Sequence, residues 1–179
     1  MREKMSNFAY KMLTYMGMPI RNLFMHPNKI LAEVEIERGN QVLDFGCGPG
    51  VFTIMLAEKT GQSGLVYALD IHHLAVKTVE QRARKKGLTN IKTILSSCST
   101  SLPDNSLDLI VFFDVFHVLD NQKEVLMELH RVLKPEAIMY FSDHHLKENY
   151  IVSTLTKDGL FKLKGKGRKT FSFSKANNF

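Results

Sequence analysis

The sequence contains no tryptophan and only two cysteines, Cys47 and Cys98, in 179 residues. One sits inside a glycine-rich turn and the other in a later loop, so neither a disulfide framework nor a zinc cluster is implied. Reduced thiols and a cytoplasmic location are the expectation. Long apolar runs are also missing. None approaches the roughly 18 residues of a membrane span, and Met1-Arg2-Glu3-Lys4 leads into no uninterrupted apolar stretch with a cleavage site. No membrane association is therefore expected. Internal repeats, low-complexity segments and linkers are absent too, and a chain of this length holds one domain with a sizeable core rather than two of ordinary size.

Acidic residues are the minority, 18 against 24 lysines and arginines, for a formal net charge of +6. The excess lies in Arg82-Ala83-Arg84-Lys85-Lys86 and in residues 162–169. Basic clusters can mark a nucleic-acid track. Here neither is interleaved with aromatics as a base-stacking platform would be. They read as the solvated faces of a helix and a hairpin, and nucleic acid is not an expected partner.

The first forty residues carry no strand signal. Phe8, Met12, Tyr15 and Met16 share one helical stripe, and Pro27 opens a second helix running toward Glu37, where Gly39 stops it. From Gln41 onward strands and helices alternate. Strands are expected over residues 41–45, 65–69, 91–95, 107–113 and 137–142, and helices over 51–60, 72–86, 121–133 and 147–157. Two strand-like segments at residues 160–164 and 170–175 flank Gly165-Lys166-Gly167-Arg168-Lys169 and read as a hairpin. The pattern predicts an α/β fold, a doubly wound and mostly parallel seven-stranded sheet closed by an antiparallel hairpin.

The most informative stretch is Val42-Leu43-Asp44-Phe45-Gly46-Cys47-Gly48-Pro49-Gly50. An apolar strand ends near an acid, glycines follow at alternate positions, and helical spacing resumes at Val51. Such a turn lets a ligand lie against bare backbone and places unpaired helix N–H groups beside it. The frame is GxGxG, with Val51 where a dinucleotide fingerprint would place its third glycine. Asp70 closes the second strand at about the spacing where a carboxylate takes both hydroxyls of a ribose. The GxGxG frame and the terminal hairpin together disfavour a nucleotide-cofactor oxidoreductase.

These residues resemble the first motifs of the class I S-adenosylmethionine-dependent methyltransferases, of the type 11 methyltransferase-domain kind. Leu129-His130-Arg131-Val132-Leu133-Lys134-Pro135 is similar to the family's helix-to-strand signature, with Glu136-Ala137 in place of its usual glycines. The resemblance covers about residues 42–143, more weakly to 175. It implies S-adenosyl-L-methionine as cofactor, residues 39–179 as the methyltransferase domain and residues 1–38 as a helical cap. It also implies a set of cofactor contacts: Asp44 near the methionine part, Gly46, Cys47, Gly48 and Gly50 through backbone, Asp70 at the ribose, Ile71 on the adenine and the Phe113 region at the ammonium group. Where the family has an acid for the adenine amine, this chain has Ser96-Ser97-Cys98, so Ser97 and the Cys98 backbone take that place.

No Asn-Pro-Pro-aromatic run, Pro-Cys pair or arsenic-type cysteine pair is present. A small-molecule acceptor is the leading expectation, with an RNA or protein acceptor, or a non-catalytic S-adenosylmethionine-binding protein, as alternatives. Asp114, His117 and His144 are the candidate catalytic residues, since histidine titrates near neutrality and a protonated acceptor needs a base. Asp143-His144-His145 is not expected to hold metal, because neighbouring histidines on an extended segment face opposite ways. The oligomeric state is not determined by these patterns.

Overall fold

A computed structural model describes residues 26–176. The helical stripe of Phe8, Met12, Tyr15 and Met16 lies outside the described residues. Element order runs α1 (Pro27–Leu31), β1 (Gln41–Phe45), α2 (Val51–Thr60), β2 (Leu65–Asp70), α3 (His73–Lys86), β3 (Ile91–Leu95), β4 (Leu107–Phe113), a 3₁₀ turn (Phe116–Val118), α4 (Gln122–Val132), β5 (Leu133–Ser142), α5 (Glu148–Thr156), β6 (Phe161–Lys166) and β7 (Phe171–Lys175). One seven-stranded sheet has the order β3-β2-β1-β4-β5-β7-β6. The first five strands run parallel, while β7 lies antiparallel to both β5 and β6. This is the expected doubly wound α/β sheet with its terminal hairpin.

The central strands are apolar because both faces are covered. Every residue from Leu109 to Phe113 is buried, as a strand between two helical layers must be. On one face Phe112, Phe116 and Phe141 meet edge to face at 5.4–5.7 Å. That side continues into Val125, Leu129 and Val132 of α4 and Ile151 and Leu155 of α5. The other face is closed by α1 and α2, through Ile30, Leu31, Leu56 and Ala57.

Three boundaries differ from the sequence expectation. Helix α1 stops at Leu31 instead of continuing toward Glu37, because Ile30 and Leu31 are already spent on the core of β1 and β4. Strand β5 begins at Leu133 rather than Ala137. Pro135 disfavours a helical conformation at Lys134, and Leu133 pairs with Leu107 before a register shift restores the ladder at Leu109 and Ile138. Strand β6 extends through Gly165 and Lys166, with a second irregularity between Leu163 and Gly165, so the turn is shorter than expected.

The two basic clusters also separate. Arg84, Lys85 and Lys86 occupy the last turn of α3, where cations meet the negative end of the helix dipole, and Lys86 pairs with Glu58 of α2 at 2.5 Å. Lys162 and Lys164 lie exposed on the hairpin. Lys166, Arg168 and Lys169 are exposed as well, and they also border a cavity at the carboxyl edge of the sheet.

Candidate active site

Parallel strands bring their carboxyl ends to one edge, and the order reverses between β1 and β4, where a crevice opens. The glycine turn leaves β1 here. Gly46 and Cys47 donate their backbone N–H groups to the Leu69 carbonyl at 2.8 and 2.9 Å, which closes the turn against β2. Gly46, Gly48 and Gly50 all have positive φ. Their reasons differ. A Cβ at Gly46 would stand 2.5 Å from Val115, and one at Gly50 would stand 2.7 Å from Val79, so these two are demanded by packing within the protein. Above Gly48 nothing lies within 4 Å, and this is the glycine whose open face a ligand can approach.

Asp70 braces that turn from β2. One carboxylate oxygen accepts from Gly48 N–H at 2.9 Å and the other from His72 N–H at 2.8 Å. Burial raises its pKa despite those bonds. Asp44 is deeper, only 3 % exposed, and accepts from the Thr53 hydroxyl at 2.5 Å and from the Thr53 backbone in the first turn of α2. Desolvation first, opposed by Thr53 and reinforced by the charge of Asp70, pushes its pKa to about 7. Burial and the charges of Asp44 and Asp70 likewise push the Cys47 thiol up, so it is an inert neighbour.

Ile71 is 49 % exposed at the end of β2, and Leu95, the Cα partner of Asp70, is 59 % exposed at the end of β3. Two large apolar side chains are thus exposed at the ends of adjacent strands. Leu95 was not singled out by sequence reasoning; its signal is an outward-facing leucine closing a strand before two serines. Ser97 is exposed and Cys98 half-buried on the loop that follows. Glu128 of α4 holds that loop, accepting from Thr100 N–H at 2.7 Å and its hydroxyl at 2.6 Å. Arg131 hydrogen bonds, against the cost of burial and with help from Thr100, depress the Glu128 pKa to about 2. Glu128 too escaped the sequence reading, since a helix glutamate carries no mark of its long-range partner.

Across the crevice the ends of β4 and β5 exchange acid–histidine pairs. Asp143 Oδ2 accepts from both the backbone N–H and Nδ1 of His117, at 3.0 and 2.9 Å. Asp114 Oδ1 accepts from the backbone N–H and Nδ1 of His144, at 3.1 and 2.7 Å. Each strand end thus supplies the acid for the other's histidine. Asp114 sits at φ 54, a left-handed conformation an aspartate tolerates at some cost. A carboxylate on Nδ1 fixes the proton there and leaves Nε2 as the basic nitrogen of the neutral ring.

The imidazole of His145 completes the group, its centroid 4.1 Å from that of His117 and 3.9 Å from that of His144. The expectation that His144 and His145 face opposite ways is corrected here. The chain turns directly after Asp143, which accepts from His145 N–H at 3.1 Å, and the two rings fall on the same side. Phe113, buried before Asp114, packs edge to face on Phe52 at 5.1 Å. Beside the pairs lies a cavity of about 600 Å³ bounded by Ile30, Asp143, His144, Ile151, Phe171 and the β6–β7 turn.

A glycine turn at the switch point, an acid at the second strand end and a terminal hairpin define the class I S-adenosylmethionine-dependent methyltransferases. Residues 36–173 match the family described as "Methyltransferase domain", and the chain belongs to that family. A solved structure of a SAM-dependent methyltransferase from Aquifex aeolicus superposes with a TM-score of 0.75 at 28% identity, covering 87% of this chain and 92% of that one. Demethylmenaquinone methyltransferase of Geobacillus stearothermophilus is 34% identical over 110 residues, 61% of this chain and 47% of the relative. That of Listeria welshimeri is 31% identical over 103 residues, 57% and 44% of the two. The chain spans about half the length of these curated relatives.

Proposed function

We propose that this chain transfers the methyl group of S-adenosylmethionine to a small-molecule acceptor, with the exchanged Asp–His pairs as the proton-accepting apparatus. The observation that carries the reading is the juxtaposition of the two pairs with a cavity of about 600 Å³ at the carboxyl edge of the sheet. A cavity of that size takes a small organic acceptor. The similarity to demethylmenaquinone methyltransferases, whose name specifies a small acceptor, supports the same class.

The residues of the crevice fit the cofactor. Gly48 offers open backbone, the Asp70 oxygens retain lone pairs for a ribose diol, and Ile71 and Leu95 offer an apolar face to adenine. Asp44 and the Phe113 backbone are assigned to the methionine end, Gly46, Cys47 and Gly50 to the shape of the turn, and Ser97 and Cys98 to the adenine edge. Bound there, S-adenosylmethionine supplies a methyl group already activated by its sulfonium. The protein has only to hold the acceptor in line, exclude water and take up a proton. His144, on the cavity wall, takes that proton at Nε2 with Asp114 stabilising the imidazolium, and His117 with Asp143 forms the second pair. Residues 1–38 are assigned as an N-terminal helical cap and residues 39–179 as the methyltransferase domain. Among the described residues no helix is long and apolar enough to cross a membrane, and a cytoplasmic location is proposed.

Calorimetry with S-adenosylmethionine, its demethylated product and NAD tests the assignment. S-adenosylmethionine should bind in preference to NAD, and Asp70→Ala should weaken it by about 1.5–3 kcal/mol, the worth of charge-assisted hydrogen bonds to two hydroxyls. Tighter binding of NAD, or parental affinity in the variant, would overturn it.

A further inference from the structure

The cavity beside the Asp–His pairs has an uneven lining. Its floor is apolar, with Ile30, Ile151 and Phe171, while its rim is the β6–β7 turn carrying Lys166, Arg168 and Lys169. The acids nearby are committed. Asp143 receives three N–H donors from His117 and His145. Glu148 pairs with Lys166 at 2.5 Å, and that lysine also lies over the Phe171 ring at 5.9 Å. Two cations remain. The head groups of Arg168 and Lys169 make no hydrogen bond or ion pair among the described residues.

The turn that presents them is held in place. Glu33, just after α1, accepts from Lys169 N–H at 3.0 Å, Thr170 N–H at 2.9 Å and the Thr170 hydroxyl at 2.9 Å. Burial opposes its ionisation, but these donors and the Arg168 backbone outweigh it and hold the carboxyl below its usual range. A Cβ at Gly167 would collide with the same carboxylate. The charge of Glu33 is thus spent on these donors. An apolar floor with two unspent cations at its mouth is suited to an amphipathic anion.

We propose that the methyl acceptor has a flat apolar body bearing an anionic group, a carboxylate or a phosphate, which Arg168 and Lys169 engage while the body rests on Ile30, Ile151 and Phe171. This rests on the methyltransferase reading and specifies its substrate class. The guanidinium of Arg168 offers the planar fork that matches either anion, with Lys169 as a second point charge. The anion then sets the distance from rim to His144 and so places the nucleophilic atom.

The test uses the full chain saturated with the demethylated cofactor product. Three probes share one ring system: 1-hydroxy-2-naphthoate, 1-naphthyl phosphate and neutral 1-naphthol. By calorimetry at about 0.05 M salt, where screening is modest, at least one anion should bind about tenfold or more tighter than 1-naphthol, and the more favoured anion identifies the group. Arg168→Ala with Lys169→Ala should reduce that preference to less than about threefold while leaving 1-naphthol unchanged. Lys162→Ala with Lys164→Ala, an equal loss of charge on the exposed hairpin, should preserve the preference. Equal binding of all three probes, or equal loss of preference in both double variants, overturns the proposal. If the cofactor product binds while the anions show no preference, only this inference fails; if the product itself does not bind, the methyltransferase reading fails.

Discussion

The Asp143 carboxylate receives both the backbone N–H and the ring Nδ1 of His117 on a single oxygen, at 3.0 and 2.9 Å. The Asp143 side chain is wholly buried and that of His117 is 24 % exposed. A buried anion fixes the tautomer and orientation of a ring that still reaches solvent. Asp114 and His144 repeat the arrangement from the opposite strand ends.

Asp114→Asn, which removes the carboxylate held on Nδ1 of the proton-accepting His144, should therefore slow transfer to acceptors that must lose a proton by about a hundredfold, the lower range for general base catalysis. Affinity for the cofactor should change little. An acceptor already ionised at the assay pH should be spared, and a comparison of kcat/KM between the two acceptor types across pH 6–9 checks this. Equal losses for both types would reduce Asp114 to a structural role.

Asp44 adds a pH dependence to stability. Its folded pKa of about 7 lies well above the usual aspartate value of 3.8, so the folded state holds a proton that the unfolded chain has released in that window. Its contribution is fully present below about pH 4 and is lost as pH rises through about 7. Asp44→Asn should flatten the dependence of Tm on pH between 4 and 7. A cationic ligand beside Asp44 favours the charged form, so S-adenosylmethionine affinity should rise from pH 6 to 8 in the parent and not in the variant. Parallel curves for both proteins would refute the assignment.

Two of the turn glycines, Gly46 and Gly48, should respond differently. Gly46→Ala brings a Cβ against Val115 as well as a left-handed backbone cost, and a loss of about 2–4 kcal/mol in stability is expected. Gly48→Ala meets open space, so it should cost only about 1–2 kcal/mol, the penalty of the αL conformation. Its effect should fall on cofactor affinity, and Gly48→Val should weaken binding further. Thermal melts with calorimetry separate the two; equal destabilisation by both alanines would contradict the packing account.

Glu128 links α4 to the loop carrying Ser97 and Cys98. Its carboxyl is held at about 2, below the usual glutamate value of 4.5, so its stabilisation is complete above about pH 4.5 and is lost as pH falls toward 2. Glu128→Ala should cost about 1–3 kcal/mol at neutral pH by removing charged hydrogen bonds to Thr100 and Arg131. The difference from the parent should vanish in melts below about pH 2. A pH-independent difference would assign the loss to packing alone.

Local sequence determined much of the architecture by itself. Alternating apolar runs and helical spacing define five parallel strands and the hairpin, because these periods follow from backbone geometry alone. The glycine turn and the acid closing β2 were legible for the same reason, since a tight turn and a strand end are set by a few adjacent residues. Tertiary structure decided what those residues meet. Gly46 and Gly50 are needed by Val115 and Val79, side chains more than twenty positions away. The Asp–His exchange exists because β4 and β5 pair in a register that sets Phe113 beside Ser142, and the turn after Asp143 brings three imidazoles together. Arg168 and Lys169 reach a cavity because Glu33, at a separation of 137 residues from Thr170, seats the hairpin turn against Ile30. Such pairings join parts of the chain that no local period connects, and only the folded sheet brings them within hydrogen-bond range.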